Sequence, residues 1–207
     1  MYTDQVWRPK EGSPFLFALQ NIWCIIYKLM IYIGLDNGGQ KFGLSILNIE
    51  TKEWFGTTVT RTEKKSDSFN PNIHPYNLWD QIQQLLQEKA PTSNGRQGLV
   101  SAGIEKFFLK RGRGKEVLPW MQGFIAASIY SYYDKTTRVI LVGSQEWKKE
   151  LIGFRTNGKE FVEEYVKRQA QVNKFKINIT TKIQDKEDTY DAMGISYFLW
   201  RKNKIKK

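Results

Sequence analysis

The chain has 207 residues, 41% of them hydrophobic, and 32 Lys and Arg stand against 21 Asp and Glu for a formal net charge of +11. That length buries one good core, and the charge favours a polyanionic partner, nucleic acid ahead of an anionic membrane surface. The lone Cys24 and lone His74 exclude an intramolecular disulfide, a zinc finger and histidine-based metal sites, so a reducing interior is the expected setting.

The most apolar segment is FLFALQNIWCIIYKL, residues 15–29. Gln20, Asn21 and Lys28 interrupt it, and it falls short of the roughly 20 residues that span a bilayer, so no membrane span is expected there. Asp4 and Glu11 precede it and no small-residue cleavage site follows, which argues against a signal peptide. Met30 stands directly before the first strand. The organisation read from this is an N-terminal extension of open role at 1–29, a working domain at 30–200 and a basic tail, RKNKIKK, at 201–207.

Residues 31–36, 41–49 and 53–60 are rich in Ile, Leu, Phe, Thr and Val, and short connections (NGGQ, and the residues around Thr51-Lys52) suit hairpins. An antiparallel meander of three strands is expected. His74 lies in NPNIHPY, which reads as loop, and YNLWDQIQQLLQEK follows as an amphipathic helix carrying Leu78, Ile82, Leu85 and Leu86. GLVSAGIE reads as a buried strand ending on Glu105. EVLPWMQGFIAASIYSYY then reads as a long helix with a small-residue face, TRVILVG as a strand, and KEFVEEYVKRQAQV and DKEDTYDAMGISYFLWRK as helices. Strand-helix alternation after a meander predicts an α/β domain with a five-stranded mixed sheet flanked by helices.

Acids stand at telling places in this basic chain. Asp36 and Glu105 end apolar strands, and Asp188 and Asp191, three residues apart, project from one face of the last helix. Capping and the helix dipole account for Asp185. Asp191, followed by the apolar AMGISYFLW, needs a partner. A helix packed across the sheet would bring Asp36, Glu105, Asp188 and Asp191 to one edge, where like charges about 4 Å apart repel by about 4 kcal/mol at the effective dielectric of a protein surface. Oxygen ligands of this kind select hard cations, Mg²⁺ or Mn²⁺, and two such ions form the clamp used in phosphodiester hydrolysis.

The order of these residues adds to the reading. YIGLDNGG, GIEKFFL and DTYDAMGIS, with QEWKKELIGFRTNGKEFV between the last two, resemble the motifs of the RuvC family of Holliday-junction resolvases, within the ribonuclease H-like superfamily. The resemblance covers roughly residues 30–200. It implies a ribonuclease H-like fold and a metal-dependent endonuclease that resolves four-way DNA junctions by paired cuts near the crossover, as a homodimer built on the helix after Glu105. It implies that Asp36, Glu105, Asp188 and Asp191 are catalytic ligands of two Mg²⁺ ions, with Mn²⁺ as substitute. Phe108 would stack on or wedge open bases. Lys110, Arg111, Arg113 and Lys115 of the loop KRGRGK, with Lys148, Lys149 and Lys159, would meet DNA phosphates. The expected setting is the cytoplasm, of bacterial or phage-like type, or an organelle. Asn37 departs from the family's usual Pro, and the segment 1–29 has no counterpart.

Other classes remain at this stage. A ribonuclease H-like nuclease acting on RNA/DNA hybrids or other structures is the nearest, and a non-catalytic binder of branched DNA is another. GLDNGG is also similar to the phosphate loop of actin and sugar-kinase ATPases, but those need two such lobes, and no Walker-type Gly-Lys-Ser loop is present.

Overall fold

A computed structural model describes residues 31–37, 41–60, 74–90, 100–106, 117–133, 137–153 and 159–205. The sequence's extended segments form β1 (Ile31–Asn37), β2 (Lys41–Asn48), β3 (Glu53–Thr60), β4 (Val100–Lys106) and β5 (Arg138–Gly143). A further strand, β6 (Lys176–Ile179), joins them, so the sheet has six strands where five were expected, in the order β5-β4-β1-β2-β3-β6. β2 is antiparallel to β1 and β3, β4 and β5 continue parallel from β1, and β6 lies parallel to β3. β6 escapes a periodicity reading because it is only KINI, with its two isoleucines half-buried at a sheet edge.

The helices are α1 (His74–Lys89), α2 (Val117–Tyr133), α3 (Ser144–Ile152), α4 (Lys159–Asn173) and α5 (Lys186–Ile205), the last preceded by a 3₁₀ turn at Ile183–Asp185. Three readings change. His74 begins α1 instead of lying in a loop, because Pro75 in a first helical turn gives up only an N–H that has no helical partner anyway. α3 was missed; Trp147 and Leu151 are its buried i, i+4 pair, and Gly153 closes it in the left-handed conformation at φ 77°. α5 runs on to Ile205, so most of the expected flexible tail is helix, and Lys202 pairs with Glu146 of α3 at 2.6 Å. The N-terminal segment 1–29 lies outside the described residues, among which no helix is long and apolar enough to cross a membrane.

Strand alternation sorts the core onto two faces. Ile31, Ile33 and Leu35 of β1, with Leu44, Ile46, Ala102 and Ile104, pack against Leu78, Ile82 and Leu86 of α1 and Ile125 and Ile129 of α2. On the opposite face Tyr32, Leu47, Trp54 and Val142 pack under α3, α4 and α5 through Trp147, Val162, Val166, Met193, Ile195 and Leu199. Asp36 belongs by alternation to the second face, together with Tyr32 and Gly34.

α5 approaches that face unusually closely. A transverse row of paired positions across four strands reads Gly103, Gly34, Ser45, Gly56. A Cβ at Gly34 would lie 2.0 Å from the carbonyl oxygen of Ala192, and one at Gly43 would lie 1.9 Å from that of Asp188. The helix backbone therefore rests on the sheet backbone where side chains are missing. Where a side chain does stand in the row, it is polar and satisfied: Ser45 and Ser196 hydroxyls meet at 3.0 Å, and Trp54 Nε1 donates to both.

Candidate active site

The close seating of α5 fixes the positions of its acids. Asp188 lies over Gly43, and Gly43 is the register partner of Asp36. Ala192, one turn on, lies over Gly34, so α5 runs antiparallel to β1 with its N-terminal end toward the carboxyl ends of β1 and β4. Glu105 follows Ile104, the register partner of Leu35, as Asp36 follows Leu35. Gln122 of α2 steadies that end of β4 by donating from Nε2 to the Glu105 carbonyl at 2.7 Å.

Asp36, Glu105, Asp188 and Asp191 are brought together. Burial pushes the Asp36 carboxyl well above the usual carboxylate range, helped by a hydrogen bond with Glu105 and by the negative charges of Glu105, Asp191 and Asp188. All four residues are half-buried, at the rim of the sheet rather than inside the core. The partner that Asp191 needed is Lys148 of α3, whose Nζ lies 2.7 Å from Asp191 Oδ2.

Asp185 does more than open a helix. Its side chain pairs with Lys41 of β2, and its carbonyl accepts from the Thr58 hydroxyl at 3.1 Å. Thr58, opposite Gly43 in the β2–β3 register, also meets Thr189 at 2.9 Å and Thr181 at 2.8 Å. This network ties the start of α5 to β2 and β3, and so locks Asp188 in place; sequence reasoning missed Lys41 and Thr58 because neither belongs to a recognisable motif.

The expected DNA-contact residues fare unevenly. Phe108, Lys110, Arg111, Arg113 and Lys115 lie outside the described residues. Lys149 is exposed on α3, Lys159 is the first residue of α4, and Lys148 is mostly buried against Asp191.

Among the described residues, no group of three or more His, Cys, Asp or Glu stands at metal-coordinating separation. The donor chemistry nonetheless fits a hard divalent cation: the ligands available are carboxylate oxygens, the other three acids push the Asp36 carboxyl up, and one lysine already compensates Asp191. The pH dependence follows in sign. Because the Asp36 carboxyl is raised in the native protein above the 3.8 of an ordinary aspartate, metal-free stability falls as pH rises from about 4 toward the raised native value. Asp36→Asn is expected to flatten that dependence and raise the metal-free Tm at neutral pH, on the order of 5 °C; thermal denaturation across pH 4–8 in EDTA checks it.

Beside Asp36, the Asn37 side chain is buried, and among the described residues neither its Oδ1 nor its Nδ2 finds a hydrogen-bond partner. A buried amide without partners is costly. Asn37→Leu, similar in shape, is expected to stabilise the fold by about 1 kcal/mol in chemical denaturation.

A mixed sheet with an antiparallel β1–β2–β3 meander, β4 and β5 added in parallel beyond β1, and acids at the ends of β1 and β4 beneath a final helix defines the ribonuclease H-like fold. Comparison with solved structures finds the same fold in three of them. T. thermophilus RuvC in complex with a Holliday junction substrate matches with TM-score 0.55 and 15% identity over 84% of this chain and 96% of that one. T. thermophilus RuvC matches with TM-score 0.54 and 17% identity over 84% and 97%. The yeast mitochondrial Holliday junction resolvase Ydc2 matches with TM-score 0.50 and 13% identity over 93% and 87%. No family model matches the sequence, and no curated protein matches it.

Proposed function

We propose that the chain is a metal-dependent endonuclease that resolves four-way DNA junctions. The observation that carries this reading is the convergence of Asp36, Glu105, Asp188 and Asp191, in which the other three acids push the Asp36 carboxyl up. The fold shared with T. thermophilus RuvC and Ydc2 supports it, as does the net charge of +11 around an acidic site.

In this reading the four acids hold two Mg²⁺ ions, which supply a water nucleophile at neutral pH and stabilise the departing 3′ oxygen. The chain's own residues do the rest. The sheet and α5 hold the carboxylates rigidly, so little reorganisation accompanies reaction. Exposed Lys149, with Lys159 and the cations of the KRGRGK loop, draws phosphates to the acidic rim, and Phe108 opens the bases at the crossover. Two copies pair across α2, whose outer face exposes Gly123, Ala127 and Tyr130, and two-fold symmetry lets them cut opposing strands together.

The test is a synthetic four-way junction labelled on each strand, incubated with and without Mg²⁺ beside linear duplex and RNA/DNA hybrid at equal salt. Symmetric cuts near the crossover, dependent on Mg²⁺ and at least about tenfold faster than on the other substrates, are expected. Preferential cutting of the hybrid, or tight junction binding with no cutting in Mg²⁺ or Mn²⁺, would overturn the reading.

A further inference from the structure

Lys148, expected to meet DNA phosphates, lies against the acidic cluster. Its Nζ is 2.7 Å from Asp191 Oδ2, and the two side chains are only 12% and 14% exposed. The helix that carries it is anchored independently. Trp147, fully buried, packs its ring on the backbone of Gly194 in α5, where a Cβ would come within 2.6 Å of Trp147 Cζ3. Lys202 of α5 closes the other side of α3 by pairing with Glu146 at 2.6 Å. Lys148 Nζ also lies 4.9 Å from the centroid of the Trp147 ring, which favours a cation at that spot. The lysine is thus held at Asp191 by packing on both sides.

A lysine and a divalent cation compete for the same carboxylate oxygens. Asp191 acts electrostatically on Asp36, so whatever neutralises Asp191 also relieves the other acids. We propose that Lys148 is a resident counter-ion of the carboxylate cluster: it holds Asp191 until a divalent cation displaces it, and it thereby lowers the protein's affinity for metal in the absence of DNA. The inference rests on the reading of the cluster as a divalent-cation site. Its consequence is reciprocal, since a cation that expels the lysine is itself weakened by the lysine to the same degree. The displaced ammonium is then free to pair with another anion, and a phosphate brought by the substrate is the anion at hand, which makes metal loading and DNA binding mutually supportive. Lys148 is a positioning residue in this scheme, acting through Asp191.

The experiment is calorimetric titration of Mn²⁺ into DNA-free protein. Lys148→Met is expected to bind Mn²⁺ about tenfold more tightly than wild type, the scale of losing one charge-assisted hydrogen bond from the competing state. It should also melt at lower temperature in EDTA, because Asp191 is left uncompensated. Lys148→Arg, which keeps the charge, should stay within about twofold of wild type. If Lys148→Met does not fold, Lys148→Gln removes the charge while keeping a donor and should also tighten Mn²⁺ binding. Equal or weaker Mn²⁺ binding by the neutral variants, with wild type binding normally, overturns the role of Lys148 alone. A wild-type protein that binds no Mn²⁺ overturns both this role and the metal site beneath it.

Discussion

Asp36→Asn or Asp191→Asn is expected to lower cleavage of a four-way junction by at least about 10³-fold, equivalent to about 4 kcal/mol of transition-state stabilisation, while junction affinity stays within about threefold. The substitutions keep the shape of the side chain and remove its charge; Asp191→Asn loses the ion pair with Lys148 but keeps an oxygen for it to donate to, so a lower melting temperature with the fold retained is expected. Asp36 sits at the end of β1 directly level with Gly43, beneath Asp188, and its repulsion by three other acids is relieved when any one of them is neutralised. DNA, by contrast, is attracted by lysines and arginines spread over the surface, and removing one acid from a chain of net charge +11 leaves that attraction intact. Single-turnover cleavage beside gel-shift binding in Ca²⁺ separates the two quantities. Variants that still cut at the wild-type rate would show that these acids serve the fold alone.

The second large effect is structural. Gly43→Ala is expected to destabilise the protein by about 3 kcal/mol or more, at the upper end for overpacking, and to abolish activity in whatever fraction remains folded. The added Cβ would fall 1.9 Å from the Asp188 carbonyl oxygen and 2.5 Å from its carbon. Both are backbone atoms of a helix, so no side-chain rotation relieves the clash. α5 can respond only by lifting from β2, which carries Asp188 away from Asp36. Gly123→Ala is the matched control within a single chain: no described residue of that chain lies within 4 Å of a Cβ there, and Ala in place of Gly in a helix stabilises the unpaired chain by about 1 kcal/mol. Urea denaturation of both variants gives the comparison.

These arguments show which parts of the protein were readable from sequence. The meander declared itself because β1 to β3 are apolar, β-branched-rich runs separated by short polar stretches of sequence. Asp36 and Glu105 stood out because a carboxylate at the end of an apolar strand has no structural reason to be there. Asp191 stood out because the residues after it are apolar, and its need for a partner is met by Lys148 at 2.7 Å. The rest depends on tertiary contact. β6 is four residues long and becomes a strand only by pairing with β3. α3 is short and rich in charge, and it is held by tertiary contacts, chief among them Trp147 on Gly194. The row Gly103, Gly34, Ser45, Gly56 exists only once four strands are in register, so no local window of sequence reveals it. Lys41, Thr58 and Asp185 likewise come together only when α5 is seated.

The account stands on a shared cation site made by two strands and a helix. Anomalous diffraction from crystals of the protein loaded with Mn²⁺ measures it most directly. The expected result is Mn²⁺ density between the carboxylates of Asp36 and Glu105 and those of Asp188 and Asp191, with Lys148 withdrawn from Asp191. Mn²⁺ bound elsewhere on the surface, with none between these acids and Lys148 still on Asp191, would contradict it.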